Sequence, residues 1–213
     1  MPNAKRNKTR FIDLTMPLDE NAPAYQNDLK VKIRQFSTIA KKGWNEKAIT
    51  LSFHSGTHID APFHMIAKGK KLDQFPAEKF MGSAVVIDCR KTNSKNEIVS
   101  DLGKVRRGDI VLLCTGHSRK MHSIKYFDGN PVVGLQMAKE LCKRGVKMAG
   151  IDSWTIDNSP YSAHKILMKK EILIAENLVN LEKICGKRIW CAILPLKIKD
   201  ADGAPARAVC QIK

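Results

Sequence analysis

Residues 54–64 read His54-Ser55-Gly56-Thr57-His58-Ile59-Asp60-Ala61-Pro62-Phe63-His64. Four side chains able to bind a metal or move a proton fall in this one short segment, and three of the chain's six histidines are among them. Gly56 and Pro62 bracket it, which disfavours a helix. The expected shape is a strand ending near His54, then a tight irregular turn: Gly56 lets the backbone turn closely, and Pro62 holds the residues before it extended. Such a turn gathers His54, His58 and Asp60 round one point. Imidazole nitrogen and carboxylate oxygen suit zinc, manganese or ferrous iron, and two histidines with one carboxylate leave positions open, as catalytic sites do and closed structural sites do not. His64, whose ordinary pKa lies near working pH, is then the general base or acid. A lone histidine on a strand is more often a satisfied polar residue than a ligand. Four metal-competent groups in one turn shaped by Gly and Pro are much harder to obtain by chance.

Outward from this segment, strand and helix signals alternate. Phe11–Leu14 and the alternating Val31–Phe36 read as strands. Residues 48–54 alternate, with Ile49, Leu51 and Phe53 on one side and Thr50, Ser52 and His54 on the other. Ser83–Cys89 and Asp109–Cys114 are apolar runs fit for buried strands. Leu135–Arg144 has helical spacing and stops at Gly145. Strands follow at 146–151, 172–176 and 189–193, with a hairpin through Asp202-Gly203 after 197–201. The expectation is an α/β domain, rich in strands with few long helices: a basic, disordered arm over residues 1–10, then one domain over 11–213.

A chain of 213 residues, 43% of them hydrophobic, fills one core. No apolar run is long enough to span a membrane, and the polar N-terminus does not resemble a secretory signal, so the expected location is cytoplasmic. The six cysteines are scattered without a C-x-x-C pair; they read as small buried hydrophobes in a reducing compartment rather than a disulfide framework or thiolate metal site. The net charge of +16 has three readings: a solvated lysine-rich surface, a basic nucleic-acid-binding module, or a field that draws in anionic substrates. With no basic stripe interleaved with aromatics and no nucleic-acid motif, the first is preferred.

The pattern H-x-G-T-H-x-D-A-P-x-H resembles the signature of the cyclase family of metal-dependent hydrolases, which includes kynurenine formamidase-like and isatin hydrolase-like members. Other stretches agree in order: Phe11-Ile12-Asp13-Leu14-Thr15, Leu113-Cys114-Thr115-Gly116, Gly150-Ile151-Asp152-Ser153 with Asp157 after it, His164, Glu176-Asn177-Leu178, Leu194-Pro195-Leu196-Lys197, and residues 202–207. The resemblance implies a swivelling β/β/α domain, homo-oligomeric as a dimer or tetramer, with neighbouring subunits helping to close the pocket. It implies one metal on His54, His58 and Asp60, and in formamidase-like members a second that shares Asp60 with His164 and Glu176. It makes His64 the catalytic histidine. Isatin hydrolase-like members work with one manganese. Taken alone, His164 reads as an exposed surface histidine and Glu176 as a strand-end carboxylate, although Ile172-Leu173-Ile174-Ala175 would bury Glu176 at a cost unless it were paired or metal-bound.

One segment departs from the formamidase-like pattern. An aromatic-Pro-Gly-Asp loop is matched here by Tyr25-Gln26-Asn27-Asp28, which keeps Tyr25 as the aromatic that packs on substrate but changes the loop. His117 and Trp154 are further candidates to line the pocket. The resulting expectation is a hydrolase of a small amide, using one or two divalent metals (zinc or manganese), with the Thr57 hydroxyl as a donor to the tetrahedral oxyanion. An N-formyl arylamine comes first as substrate. A cyclic amide cleaved by a mononuclear site, or a metal-dependent cyclisation or dehydration, comes second.

Overall fold

The computed structural model describes residues 10–26 and 28–212. The expected arm over residues 1–10 therefore lies outside the described residues except for Arg10, which opens a strand, and Asn27 of the departing loop lies outside them too.

Eight strands form one closed sheet: β1 (Arg10–Asp13), β4 (His58–Asp60), β5 (Met81–Asp88), β6 (Ile110–Cys114), β7 (Met148–Ile151), β8 (Leu173–Glu176), β9 (Arg188–Pro195) and β10 (Gly203–Ile212). Their order is β1-β10-β4-β8-β7-β6-β5-β9, and β9 pairs back onto β10 to shut the barrel. The long β10 makes closure possible: one edge carries β4 at residues 203–205 and β1 at 209–212, and the other carries β9 at 206–211. β5 to β8 run parallel, and α2 (Leu135–Arg144) and α3 (Ser162–Met168) form the crossovers β6-α2-β7 and β7-α3-β8. A two-stranded hairpin, β2 (Lys32–Ser37) with β3 (Glu46–Thr50), carries the single-turn α1 (Ile39–Lys42) and stands apart from the barrel sheet. Strands dominate and the described residues hold three α-helices, as the expected β/β/α domain requires.

The parallel strands are apolar without alternation because both their faces are buried. Ala84, Val86, Ile110, Leu112, Met148 and Ala175 fill the barrel. Their neighbours Val85, Ile87, Val111, Leu113, Ala149 and Ile174 pack outward under Met137, Ala138 and Leu141 of α2 and Leu167 of α3. α2 ends where its sequence says it should, with Gly145 in the left-handed region at φ 65° closing the last carbonyls.

Three readings change. The alternation over residues 48–54 is not one strand: β3 ends at Thr50, its residues are all exposed, and His54 lies in a turn closed by the Ser55 N–H on the Ser52 carbonyl (3.1 Å). The period-2 pattern had no barrel partner to sustain it. His58–Asp60, expected within an irregular turn, is a short strand between β10 and β8. Cys191 and Cys210 are not isolated hydrophobes: they face each other in the β9–β10 register and form a disulfide, while Cys89, Cys114, Cys142 and Cys185 are free. Nineteen residues separate the pair in sequence, so only strand register could reveal it.

The turn that carries His64 leans on a glycine. An added Cβ at Gly69 would lie 2.4–2.6 Å from the Pro62 carbonyl group and the Phe63 nitrogen. Both are backbone atoms that cannot swing away. Gly69→Ala should destabilise the protein by about 2 kcal/mol and lower its thermal midpoint by roughly 4–8 °C; an unchanged midpoint in a melting scan would contradict this close approach.

Candidate metal centre

Asp60 ends β4 and is 1% exposed. Antiparallel pairing places His58 opposite Glu176 of β8 and Asp60 opposite Ile174, so His58, Asp60 and Glu176 share one face of these two strands. His54 approaches from the turn before β4, and His164 from α3. His54 Nδ1 lies 2.7 Å from Asp60 Oδ1, and His58 Nε2 lies 3.3 Å from Asp60 Oδ1 and 3.6 Å from Glu176 Oε2. His164 Nε2 lies 3.3 Å from Glu176 Oε1 and 3.7 Å from Asp60 Oδ2.

Each of these three histidines turns one nitrogen inward and has the other held from behind. His58 Nδ1 donates to the Gly56 carbonyl at 2.8 Å, His164 Nδ1 to the Asp157 carboxylate, and His54 Nε2 faces Asp202 Oδ2 at 3.0 Å. Fixing the outer nitrogen fixes the tautomer and aims the inner lone pair, the arrangement that supports histidine ligands of metals. Asp157 is itself held, because its other oxygen accepts the Ala163 N–H at 2.6 Å. Glu176 Oε1 accepts the Ile156 N–H at 2.7 Å.

The donors form two triads, His54/His58/Asp60 and Asp60/His164/Glu176, in each of which the ligand atoms lie within 4.8 Å of one another. Asp60 belongs to both. A further set, His54/His64/Asp202, lies nearer the surface. Nitrogen and carboxylate donors at this spacing fit a divalent cation of the zinc or manganese type. The electrostatics agree. Burial works hardest against a charged His58, yet Asp60 and Glu176 override it and raise its pKa to about 10. Burial opposes charge on His164 as well, and the hydrogen bond it donates to Asp157, with the nearby Asp60 and Glu176 carboxylates, reverses the sign and lifts it well above the ordinary value. Burial would raise Asp60, but His58 and His54 hold it well below the usual carboxylate range. Carboxylates packed this closely demand positive charge. His64 differs: burial, aided by neighbouring His54 and His164, keeps its pKa below the usual value against the pull of Asp60.

Seven of the site residues expected from sequence line one cavity of about 290 Å³: Tyr25, His54, His58, Asp60, His64, His164 and Glu176. Trp154 lines it too, stacked on Tyr25 with ring centroids 4.7 Å apart and planes 8° from parallel. Phe127 meets both edge-on at 5.6 and 5.5 Å. His117 does not reach the cavity; it is buried, and its Nε2 donates to the Tyr126 carbonyl at 2.7 Å. Thr57 is not a free donor either. Its hydroxyl donates to the Asn177 carbonyl at 2.6 Å and accepts the Met16 N–H at 2.8 Å, which ties three segments together below the site. Sequence reasoning missed Phe127, the support given by Asp157, and Asp202. The last had a signal, since it precedes Gly203 in the hairpin, but the turn signal accounted for it.

The Cyclase family model matches residues 12–158, and the chain belongs to that family. It is a metal-dependent hydrolase by that membership and its clustered donors. The kynurenine formamidase of Bacillus cereus is 31% identical over 208 residues, covering 94% of this chain and 97% of the relative. Among solved structures, isatin hydrolase A from Labrenzia aggregata, bound to benzyl benzoate, superposes with a TM-score of 0.87 at 26% identity, covering 96% of this chain and 94% of that one. Isatin hydrolase A from Ralstonia solanacearum gives 0.85 at 22% identity, covering 98% and 94%, a likeness of fold.

Two outcomes follow from the shared carboxylate and the raised imidazole values. Asp60→Ala should strip metal from both triads, and elemental analysis that still finds metal in proportion to protein would refute the sharing. A cation must displace the protons that His58 and His164 hold, so metal affinity should rise with pH between about 6 and 9 and fall on acidification. Competition with a chelator across that range measures it, and a flat profile would contradict the assignment.

Proposed function

We propose that this protein hydrolyses the C–N bond of a small, flat aromatic amide, and that a cyclic amide of the isatin type is a better substrate than an N-formyl arylamine bearing an amino-acid side chain. The observation that carries the choice is the composition of the cavity. Its lining combines the Tyr25/Trp154 stack and Phe127 with the cluster of donors, and no lysine or arginine stands among the described residues that line it. An aromatic amide can stack on the rings with its carbonyl facing the donors. The carboxylate of N-formylkynurenine would find no cation there. The order of substrates expected from sequence is therefore reversed, in line with the structural likeness to isatin hydrolase A.

The residue roles proposed are these. His54, His58 and Asp60 would hold a divalent metal, zinc or manganese. His164 and Glu176, together with Asp60, would hold a second. A metal so placed supplies Lewis acidity for a carbonyl and lowers the pKa of water towards neutrality. His64, kept neutral by its burial, takes the proton of the attacking water and returns it to the amide nitrogen as the C–N bond breaks. Tyr25 and Trp154 orient the ring and exclude water from one face. In a cyclic amide the leaving amine stays tethered to the new carboxylate, so one water is added and nothing departs.

Turnover of isatin and of N-formylkynurenine, followed by mass spectrometry of the products, tests the substrate. Isatin gaining the mass of one water with the higher kcat/KM supports the proposal; a higher kcat/KM for N-formylkynurenine, or a product with no water added, overturns it. His64→Ala should lower kcat by about 10²–10⁴-fold with metal content unchanged. If metal is lost with it, His64 is a ligand and the proposed role is wrong.

A further inference from the structure

Asp202 stands where two of these histidines meet, and neither triad includes it. Its Oδ2 lies 3.0 Å from His54 Nε2 and 3.5 Å from His64 Nδ1, and the two rings sit with centroids 4.1 Å apart. We infer that Asp202 is a positioning residue: one carboxylate that sets the tautomer of both His54 and His64. The inference rests on the proposed reading of His54 as a ligand and His64 as the base.

The argument is one of donors and acceptors. An ionised carboxylate only accepts, and a neutral imidazole has one N–H and one lone pair. The nitrogen facing Asp202 is therefore the N–H in each ring. For His54 this keeps a proton on Nε2; Nδ1 also faces a carboxylate, Asp60 Oδ1 at 2.7 Å, and donates to it until a cation takes that nitrogen, so Nδ1 is the nitrogen His54 can offer as a ligand while Asp202 retains the proton on Nε2. For His64 it puts the proton on Nδ1 and leaves Nε2 as the basic atom. Without Asp202 either ring could take the other tautomer. His54 would then present an N–H where a ligand is needed, and His64 would have its lone pair on the wrong nitrogen.

The backbone holds the carboxylate in place. Asp202 immediately precedes β10; its carbonyl accepts the Ala61 N–H at 2.8 Å, and the next residue, Gly203, is opposite Asp60 in the β10–β4 register. A Cβ on Gly203 would lie 2.9 Å from His54 Cε1 and 2.9 Å from the Ile59 carbonyl oxygen. Only glycine lets the strand carrying Asp202 come this close to the His54 ring. The turn that seemed to need Asp-Gly for its own geometry thus uses the pair to reach the site.

The test compares wild type with Asp202→Asn, Asp202→Glu and Asp200→Asn, all loaded with zinc. Asp200 lies in the same turn but pairs outward with Lys71 at 2.6 Å, so it controls for general disturbance of the turn. Zinc affinity is measured by chelator competition, the imidazole tautomers by long-range ¹H–¹⁵N spectra, and kcat and KM at saturating zinc. A thermal melt checks that each variant is folded. Asp202→Asn should weaken zinc binding by about 10–100-fold, lose the single tautomer of His54 and His64, and lower kcat by about tenfold or more with KM changed by less than about threefold. Asp202→Glu should recover part of each effect, and Asp200→Asn should match wild type. Wild-type zinc affinity and tautomers in Asp202→Asn overturn the inference, as does an equal loss in Asp200→Asn. If wild type hydrolyses no aromatic amide, the proposed function fails, while the zinc and spectroscopic results still decide the role of Asp202.

Discussion

The buried carboxylate of Asp60 is the constraint around which the rest is arranged. An unpaired carboxylate at 1% exposure would cost several kcal/mol, and a second one, Glu176, sits close enough to raise that cost further. The protein answers with three imidazoles from three different segments: the turn before β4, β4 itself, and α3. Each must arrive with a chosen nitrogen inward, so each needs an acceptor behind it. Those acceptors in turn need backbone partners, such as the Ala163 N–H on Asp157. The demand for positive charge at one point propagates outward until it fixes the start of α3, the end of β8 and the entry to β10.

Closure of the barrel makes this affordable. β10, shared with β9 on its other edge, and β8 pair with β4 from either side, so this strand of only three residues is held between two others. A segment that short could not otherwise keep two side chains in register. Thr57 adds to this by joining the Met16 and Asn177 backbones beneath the site. That hydroxyl seemed free for catalysis in the sequence, but it is spent on architecture.

What the sequence revealed divides along physical lines. Buried parallel strands and α2 were legible because burial on both faces and helical periodicity leave marks within a single segment. The candidate site residues His54, His58, Asp60 and His64 were legible because one short segment carries them all. His164 and Glu176 were not legible from their own surroundings. Each looks ordinary in its segment, and only the register of β4 with β8 and the placement of α3 bring them to Asp60. The same holds for the Cys191–Cys210 pair and for Asp202, whose partner His54 is 148 residues away in sequence. His117 erred the other way: its neighbours suggested a pocket, but Tyr126 supplied a carbonyl that holds it in the core.

The distribution of charge follows from the same constraint. The chain has 37 lysines and arginines against 21 acidic residues, yet the described lining of the cavity holds acidic groups and histidines and no lysine or arginine. A lysine beside Asp60 would satisfy the carboxylates with its own fixed charge, whereas an imidazole is itself a metal ligand and exchanges its inner proton for a cation at the same nitrogen. Histidine can give its proton up. Excluding the stronger bases from the cavity keeps the carboxylates available to a divalent cation, and it leaves the aromatic wall without a charge to pair with an anionic substituent. Among the described residues, lysine and arginine lie outside the cavity lining, where they do not compete for Asp60 or Glu176.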